Sequence, residues 1–132
     1  MYKRVLVAED NHESRQTFGH YLRLAGHSFV LASDGQAAWE LLNRGGKFDH
    51  IISDYQMPGM DGLELLRRVR AGGRIADTPF TLMSGAMTVS REDQTPLAEA
   101  CAKFGATFVE KPLDFEALIV RLLGVSREID DS

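Results

Sequence analysis

Short apolar runs alternate with segments of helical periodicity along the whole chain, and this alternation most narrows the folds open to it. It is the signature of successive βα units feeding a parallel sheet. The first unit reads as a strand from about Arg4 to Glu9. A helix follows in which Phe18, Tyr21, Leu22 and Ala25 fall at i, i+3, i+4 and i+7, with Asn11 as N-cap and Gly26 as stop. The second is a strand from Ser28 to Ala32, then Asp34-Gly35 and a helix through Ala38, Leu41 and Leu42 ending near Gly45-Gly46. The third runs from His50 to Ser53, then into a helix opened by Asp61, with Glu64 at capping-box spacing, Leu65, Leu66 and Val69 facing the sheet, and Gly72-Gly73 as its close.

In the fourth unit a strand from Phe80 to Met83 precedes a loop. Thr95-Pro96 then reads as N-cap and first helical residue before Leu97, Ala100, Cys101 and Phe104, with Gly105 as stop. The fifth strand, Thr107 to Glu110, leads to Asp114 as N-cap and a helix carrying Phe115, Leu118, Ile119, Leu122 and Leu123 on one face. Residues Ser126 to Ser132 read as a frayed tail, which places the domain at 1–125 and the tail at 126–132. At 132 residues there is room for one domain. Five βα units are too few for an eight-stranded barrel, so an open doubly wound α/β sheet with helices on both faces is expected. In such sheets the functional crevice lies at the carboxyl ends of the strands.

Those ends carry polar groups. The first apolar run, Val5 to Ala8, ends on Glu9-Asp10, and the third, Ile51-Ile52-Ser53, ends on Asp54 before a Pro/Gly turn. The fourth ends on the Ser84 hydroxyl and the fifth on Lys111-Pro112. If the first strand lies beside the third, Glu9, Asp10 and Asp54 converge, and three carboxylates in one pocket repel unless a cation joins them. Hard oxygen ligands point to Mg²⁺, with a backbone carbonyl just past Asp54, that of Gln56, as a further ligand. Phosphoryl transfer needs an in-line nucleophile and neutralisation of the equatorial oxygens. Asp54 fits the nucleophile, since a carboxylate can form an acyl phosphate, while Lys111 and the Ser84 hydroxyl can reach phosphoryl oxygens.

Fifteen basic against 19 acidic residues give a net charge of −4, and the cations are scattered, so no nucleic-acid footprint is expected and proteins are the expected partners. Cys101 is the only cysteine, which rules out an intramolecular disulfide or a thiolate metal site, and it reads as a buried thiol. No run approaches the ~20 apolar residues that span a bilayer, and the N-terminus lacks a signal-peptide core, so no membrane association and a cytoplasmic setting are expected.

Over essentially its whole length the chain resembles the receiver domain of two-component response regulators. The resemblance rests on Glu9-Asp10, on Asp54 followed by Met57-Pro58-Gly59-Met60-Asp61-Gly62, on Ser84-Gly85 and on Lys111-Pro112, in that order and strand context. It implies a flavodoxin-like (βα)₅ fold with strand order 2-1-3-4-5. It also implies that Asp54 accepts a phosphoryl group from a histidine of a sensor kinase or a phosphotransfer domain. Glu9 and Asp10 would hold Mg²⁺, Ser84 would be the switch hydroxyl and Phe108 the switch aromatic. The Lys111-Pro112 bond would be cis, a state only an X-Pro bond reaches at low cost.

Such a protein is a signalling switch for a downstream target, acting by changed partner affinity or phosphorylation-dependent homodimerisation. It is not a turnover enzyme, though it catalyses its own phosphorylation and slow dephosphorylation. The Asp10-Asn11 and Gln56-Met57-Pro58 wording is also similar to receivers of hybrid kinases, so both donors stand, as do a free-standing receiver and one excised from a longer chain. The chain departs from the family in Phe108, where tyrosine is common, in Glu-Asp for Asp-Asp, and in extra length assigned to Thr88 to Gln94.

Several residues read as structural. Asp61 and Asp34 have the spacing of helix caps, His12 sits at an exposed helix start, and His20, His27 and His50 share no metal-site spacing. Tyr55 reads as a rim residue and Trp39 as a packing or surface residue. Three other functions compete. A haloacid-dehalogenase-type phosphatase wants a second Asp where this chain has Gln56, a flavin-binding fold wants a phosphate loop after the first strand, and a vestigial receiver would lack site residues that are all present.

Overall fold

The computed structural model describes residues 2–85 and 91–126, the side chains of 91–94 excepted. Five strands, β1 Arg4–Ala8, β2 Ser28–Ala32, β3 His50–Asp54, β4 Phe80–Gly85 and β5 Thr107–Lys111, alternate with five helices, α1 His12–Leu24, α2 Gly35–Asn43, α3 Gly62–Arg70, α4 Arg91–Lys103 and α5 Phe115–Leu123. The strands form one parallel sheet in the order β2-β1-β3-β4-β5. This is the doubly wound, flavodoxin-like order expected from the sequence.

Side-chain alternation along the central strands splits the core in two. Leu6, Ala8, Ile51 and Leu82 join Ala38, Leu42, Leu65, Leu66, Val69 and Cys101 under α2, α3 and α4. Val5, Val7, Ile52 and Met83 join Phe18, Leu22, Leu118, Ile119 and Leu123 under α1 and α5. β3 is buried along its whole length, whereas the edge strands β2 and β5 are only partly so. That is the pattern of a parallel sheet covered on both faces. Each wholly buried Leu or Phe stabilises the fold by roughly 1.5–3 kcal/mol through transfer from water.

The helix starts follow their caps. Asn11, Asp34, Asp61 and Asp114 each accept from the backbone N–H three residues on, satisfying one orphan donor per helix. Gly26, at φ +83°, ends α1 as expected. The strand ends differ by a residue or two from expectation, because ladder bonding stops at Ala8 in β1 but runs through Asp54, Gly85 and Lys111 in β3, β4 and β5. A single 3₁₀ turn, Gly73–Ile75, follows α3 and was not anticipated.

α4 departs most from expectation. It begins at Arg91, so Thr95 is not its N-cap and Pro96 lies inside it. A proline's fixed φ is helical and its missing N–H removes one i→i−4 bond, so near a helix start it can be carried without marking the boundary. Of the stretch Thr88 to Gln94, Arg91 to Gln94 belong to this helix, and 88–90 lie outside the described residues.

Ser126 is not frayed. Its N–H donates to the Ala25 carbonyl at 2.8 Å and it is buried against Gly26, while residues 127–132 lie outside the described residues. Among the described residues, no helix is long and apolar enough to cross a membrane.

Candidate functional site

β1 and β3 pair as far as Ala8 and Ser53, so the next residue of each, Glu9 and Asp54, stand side by side. Glu9 is wholly buried, Asp54 is nearly so, and Asp10 is exposed. One oxygen from each of the three carboxylates lies within 4.8 Å of the others. The convergence expected from the sequence is therefore present.

Lys111, at the end of β5, reaches across β4 to this cluster. Its Nζ lies 3.1 Å from Asp54 Oδ1 and 3.4 Å from Glu9 Oε1. Gly85 pairs with Lys111 in the sheet and lines the same cleft. The Lys111-Pro112 peptide is cis. Ser84 is buried on β4, its hydroxyl without a hydrogen-bond partner among the described residues, and Glu9 Oε2 likewise has none there.

The electrostatics follow from burial and crowding. Burial first, then the hydrogen bond and negative charge of Asp54, push the Glu9 carboxyl up to about 7, with Lys111 pulling the other way. Burial alone would lower the Lys111 ammonium, but Asp54 and Glu9 outweigh it and the net direction is upward. One lysine among three carboxylates leaves an excess of negative charge. The unpartnered Glu9 oxygen and the all-oxygen donor set fit a hard divalent ion such as Mg²⁺.

The remaining wall is the loop from β3 to α3. With Asp10, Asp54 and Lys111, the residues Tyr55, Gln56 and Met57 line an open cleft of about 920 Å³. Tyr55 N–H donates to Met83 O at 2.7 Å and Gly62 N–H donates to Tyr55 O at 2.8 Å, fixing both ends of the loop. Asp61 lines the cleft but caps α3 by accepting from Glu64 N–H at 2.8 Å, in keeping with its structural reading. The Glu64 carboxylate pairs with Arg68 Nε at 3.1 Å.

Phe108, paired with Leu82 in the sheet, is half-buried against the core cluster that includes Leu82 and Cys101. Burial pushes the Cys101 thiol up to about 11. Trp39, half-buried on α2, lies under the Arg68 guanidinium at 5.8 Å.

Two contributors to the site escaped the sequence reading. Gly62 allows α3 to pack against the Asp54 backbone, and a glycine directly after a helix cap was the available signal. Arg15 donates from Nη1 to the Glu9 carbonyl at 2.9 Å and the Asp10 carbonyl at 3.4 Å, a contact no spacing rule announces.

The family model described as "Response regulator receiver domain" matches residues 5–123. The chain is 35% identical over 119 residues to the response regulator protein FleR of Pseudomonas aeruginosa, covering 90% of this chain and 24% of that protein. It is 32% identical over 127 residues to the transcriptional regulatory protein FixJ of Bradyrhizobium diazoefficiens, covering 96% and 58%. It thus spans less than two thirds of the length of these curated relatives. Among solved structures it is similar to the chemotaxis response regulator CheY4 of Vibrio cholerae, with a TM-score of 0.75 at 31% identity, covering 92% of this chain and 97% of that one.

Proposed function

From the premise that this chain belongs to the response regulator receiver domain family of two-component signalling, we propose that it is a phosphorylation switch with Asp54 as phosphoacceptor. The observation that carries the proposal is the Lys111 Nζ to Asp54 Oδ1 pairing at 3.1 Å inside a cluster of three carboxylates. A lone acid at a strand end would need neither the lysine nor the neighbouring acids.

In the proposed reaction an Asp54 carboxylate oxygen attacks the phosphorus of a phosphohistidine. The new O–P bond forms as the N–P bond breaks, and the imidazole leaves. Glu9, Asp10, Asp54 and the Gln56 backbone carbonyl would hold Mg²⁺, which supplies charge neutralisation at the phosphoryl oxygens. Lys111, already beside the nucleophile, offers its ammonium to a phosphoryl oxygen. The unpartnered Ser84 hydroxyl donates to another, drawing β4 toward the new group. Phe108, next along the sheet from β4 and packed under α4, is the residue through which that movement reaches the surface.

The phosphodonor is a sensor histidine kinase or a histidine phosphotransfer domain. The output is a changed affinity for a downstream protein or for a second copy of the chain. The module extends to Ser126, one residue past the boundary expected from the sequence, and promotes its own phosphorylation and slow dephosphorylation without turning over a separate substrate.

The test is Mg²⁺-dependent labelling by acetyl phosphate, with Asp54→Asn alongside. Label is expected on the parent and absent from the variant; label retained by Asp54→Asn would overturn the assignment. Sizing with and without beryllofluoride distinguishes a dimerising output from a monomeric one.

A further inference from the structure

Between the last residue of β1, Ala8, and the N-cap of α1, Asn11, the chain has two residues, Glu9 and Asp10, and both belong to the acidic cluster. Glu9 N–H still bonds to the sheet, donating to Ala32 O at 3.1 Å. The Glu9 and Asp10 carbonyls lie beyond the ladder. A guanidinium gathers them. Arg15, half-buried in the first turns of α1, donates from Nη1 to Glu9 O at 2.9 Å and to Asp10 O at 3.4 Å, while its Nη2 lies 3.3 Å from His12 Nδ1. Its own N–H is in the helix ladder, donating to Asn11 O at 2.9 Å, so the side chain springs from a fixed point and reaches back over the loop.

We propose that Arg15 is a positioning residue for the cation site, holding the Glu9-Asp10 backbone so that both carboxylates face Asp54. The proposal rests on the reading of the acidic cluster as a Mg²⁺ site. Its physical basis is that Asp10 is exposed, so the direction of its carboxylate follows from the backbone that carries it. A single guanidinium nitrogen that donates to both carbonyls ties the two residues to one point on α1, and the second nitrogen, beside His12, holds the guanidinium in place. Arg15 acts through carbonyl oxygens and touches neither the metal ligands' carboxylates nor the nucleophile, so it is not a catalytic residue.

Arg15→Ala frees the two carbonyls to water and lets the loop relax. The expected result is Mg²⁺ affinity weakened about tenfold by isothermal titration calorimetry, the range seen when groups behind a metal ligand are removed. Arg15→Met, which keeps the apolar stem but can donate to neither carbonyl, is expected to show a similar loss of about tenfold. In acetyl phosphate labelling the Mg²⁺ concentration for half-maximal rate should rise while the rate at saturating Mg²⁺ stays within twofold, a split that a general loss of fold would not produce. Arg23→Ala, on the exposed side of the same helix, is the control and should leave Mg²⁺ affinity unchanged.

Affinity of Arg15→Ala within twofold of the parent overturns the proposal, as does an equal loss in Arg23→Ala. Should Arg15→Ala fail to fold, Arg15→Met decides alone: weakened affinity supports the assignment and parental affinity refutes it. A parent that binds no Mg²⁺ overturns the cation site itself, and the role of Arg15 with it.

Discussion

The backbone carbonyl of Asp54 and the α-carbon of Gly62 lie so close that a side chain on residue 62 would overlap the Asp54 oxygen and stand 2.6 Å from Leu82 Cδ1. The contact is backbone against backbone and cannot yield by rotating a side chain. Alanine for glycine near a helix start usually stabilises by up to about 1 kcal/mol. Here the overlap should reverse the sign. Gly62→Ala is expected to destabilise by about 2 kcal/mol, since α3 or Asp54 must move. Urea unfolding measures the first effect and the rate of acetyl phosphate labelling the second; a midpoint at or above the parent's would mean the overlap is absorbed.

What the sequence made legible was whatever is encoded locally. Asn11, Asp34, Asp61 and Asp114 cap their helices because capping joins residues three apart. Glu9, Asp10, Asp54 and Lys111 could be found together because a parallel sheet brings every strand's carboxyl end to one edge. Contacts made by long side chains to distant carbonyls were not legible. Arg70 donates from Nε to Phe104 O, from Nη1 to Ala76 O and Thr78 O, and from Nη2 to Gly105 O, tying α3 to the end of α4. Neither its spacing nor its charge distinguishes it from Arg67 or Arg68. Thr95-Pro96 misled for a related reason: a strong local start signal was overridden by a helix that carries its proline internally.

Asp54→Asn should separate the acidic cluster's two costs. Glu9 is pushed up by burial and by Asp54, so the metal-free parent holds repelling carboxylates against a single lysine. Removing the Asp54 charge leaves Lys111 to pair with Glu9 and relieves that repulsion. The variant is expected to melt at or above the parent in EDTA, and to gain much less from added Mg²⁺, because a ligand that binds only the folded state stabilises in proportion to its affinity. Thermal melts of both proteins with EDTA and with Mg²⁺ check this. A variant that melts well below the parent in EDTA would show that the Lys111 to Asp54 pairing outweighs the repulsion.

His50 supplies a pH dependence at the opposite end of the sheet. It is buried at the start of β3, shares a 2.8 Å hydrogen bond with Thr81 Oγ1, and is lowered to about 4, first by burial and then by the charge of Lys3. The unfolded chain takes up its proton near the ordinary value of 6.5 while the fold refuses it until about 4. Its contribution is therefore present above pH 6.5 and lost as pH falls toward 4, to a limit of roughly 3 kcal/mol. Glu9 acts in the other direction, since a carboxyl raised to about 7 favours the metal-free fold at low pH and less so as pH rises through 7. The difference between parent and His50→Gln isolates the histidine. In EDTA, lowering the pH from 6.5 to 5 should change stability less favourably in the parent than in the variant, which keeps the gain from Glu9 without the loss from His50, measured by urea unfolding; parallel profiles would count against a neutral buried imidazole.

Ser84→Ala should have opposite effects in the two states of the switch. The hydroxyl is buried without a partner among the described residues, so in the unphosphorylated protein it carries a desolvation cost that no hydrogen bond offsets. Deleting it removes that cost and leaves only a small void, so the melting temperature is expected to be unchanged or slightly higher. With beryllofluoride bound as a phosphoryl mimic, the parent hydroxyl gains an acceptor and the alanine does not. The added stabilisation from beryllofluoride should therefore be smaller in Ser84→Ala by about 1.5–3 kcal/mol, the worth of one hydrogen bond to a charged acceptor. Melts of both proteins, each with and without the mimic in Mg²⁺, measure the two effects separately. Equal stabilisation of parent and variant would mean that Ser84 does not follow the phosphoryl group, and the movement assigned to β4 would have to start from Lys111 alone.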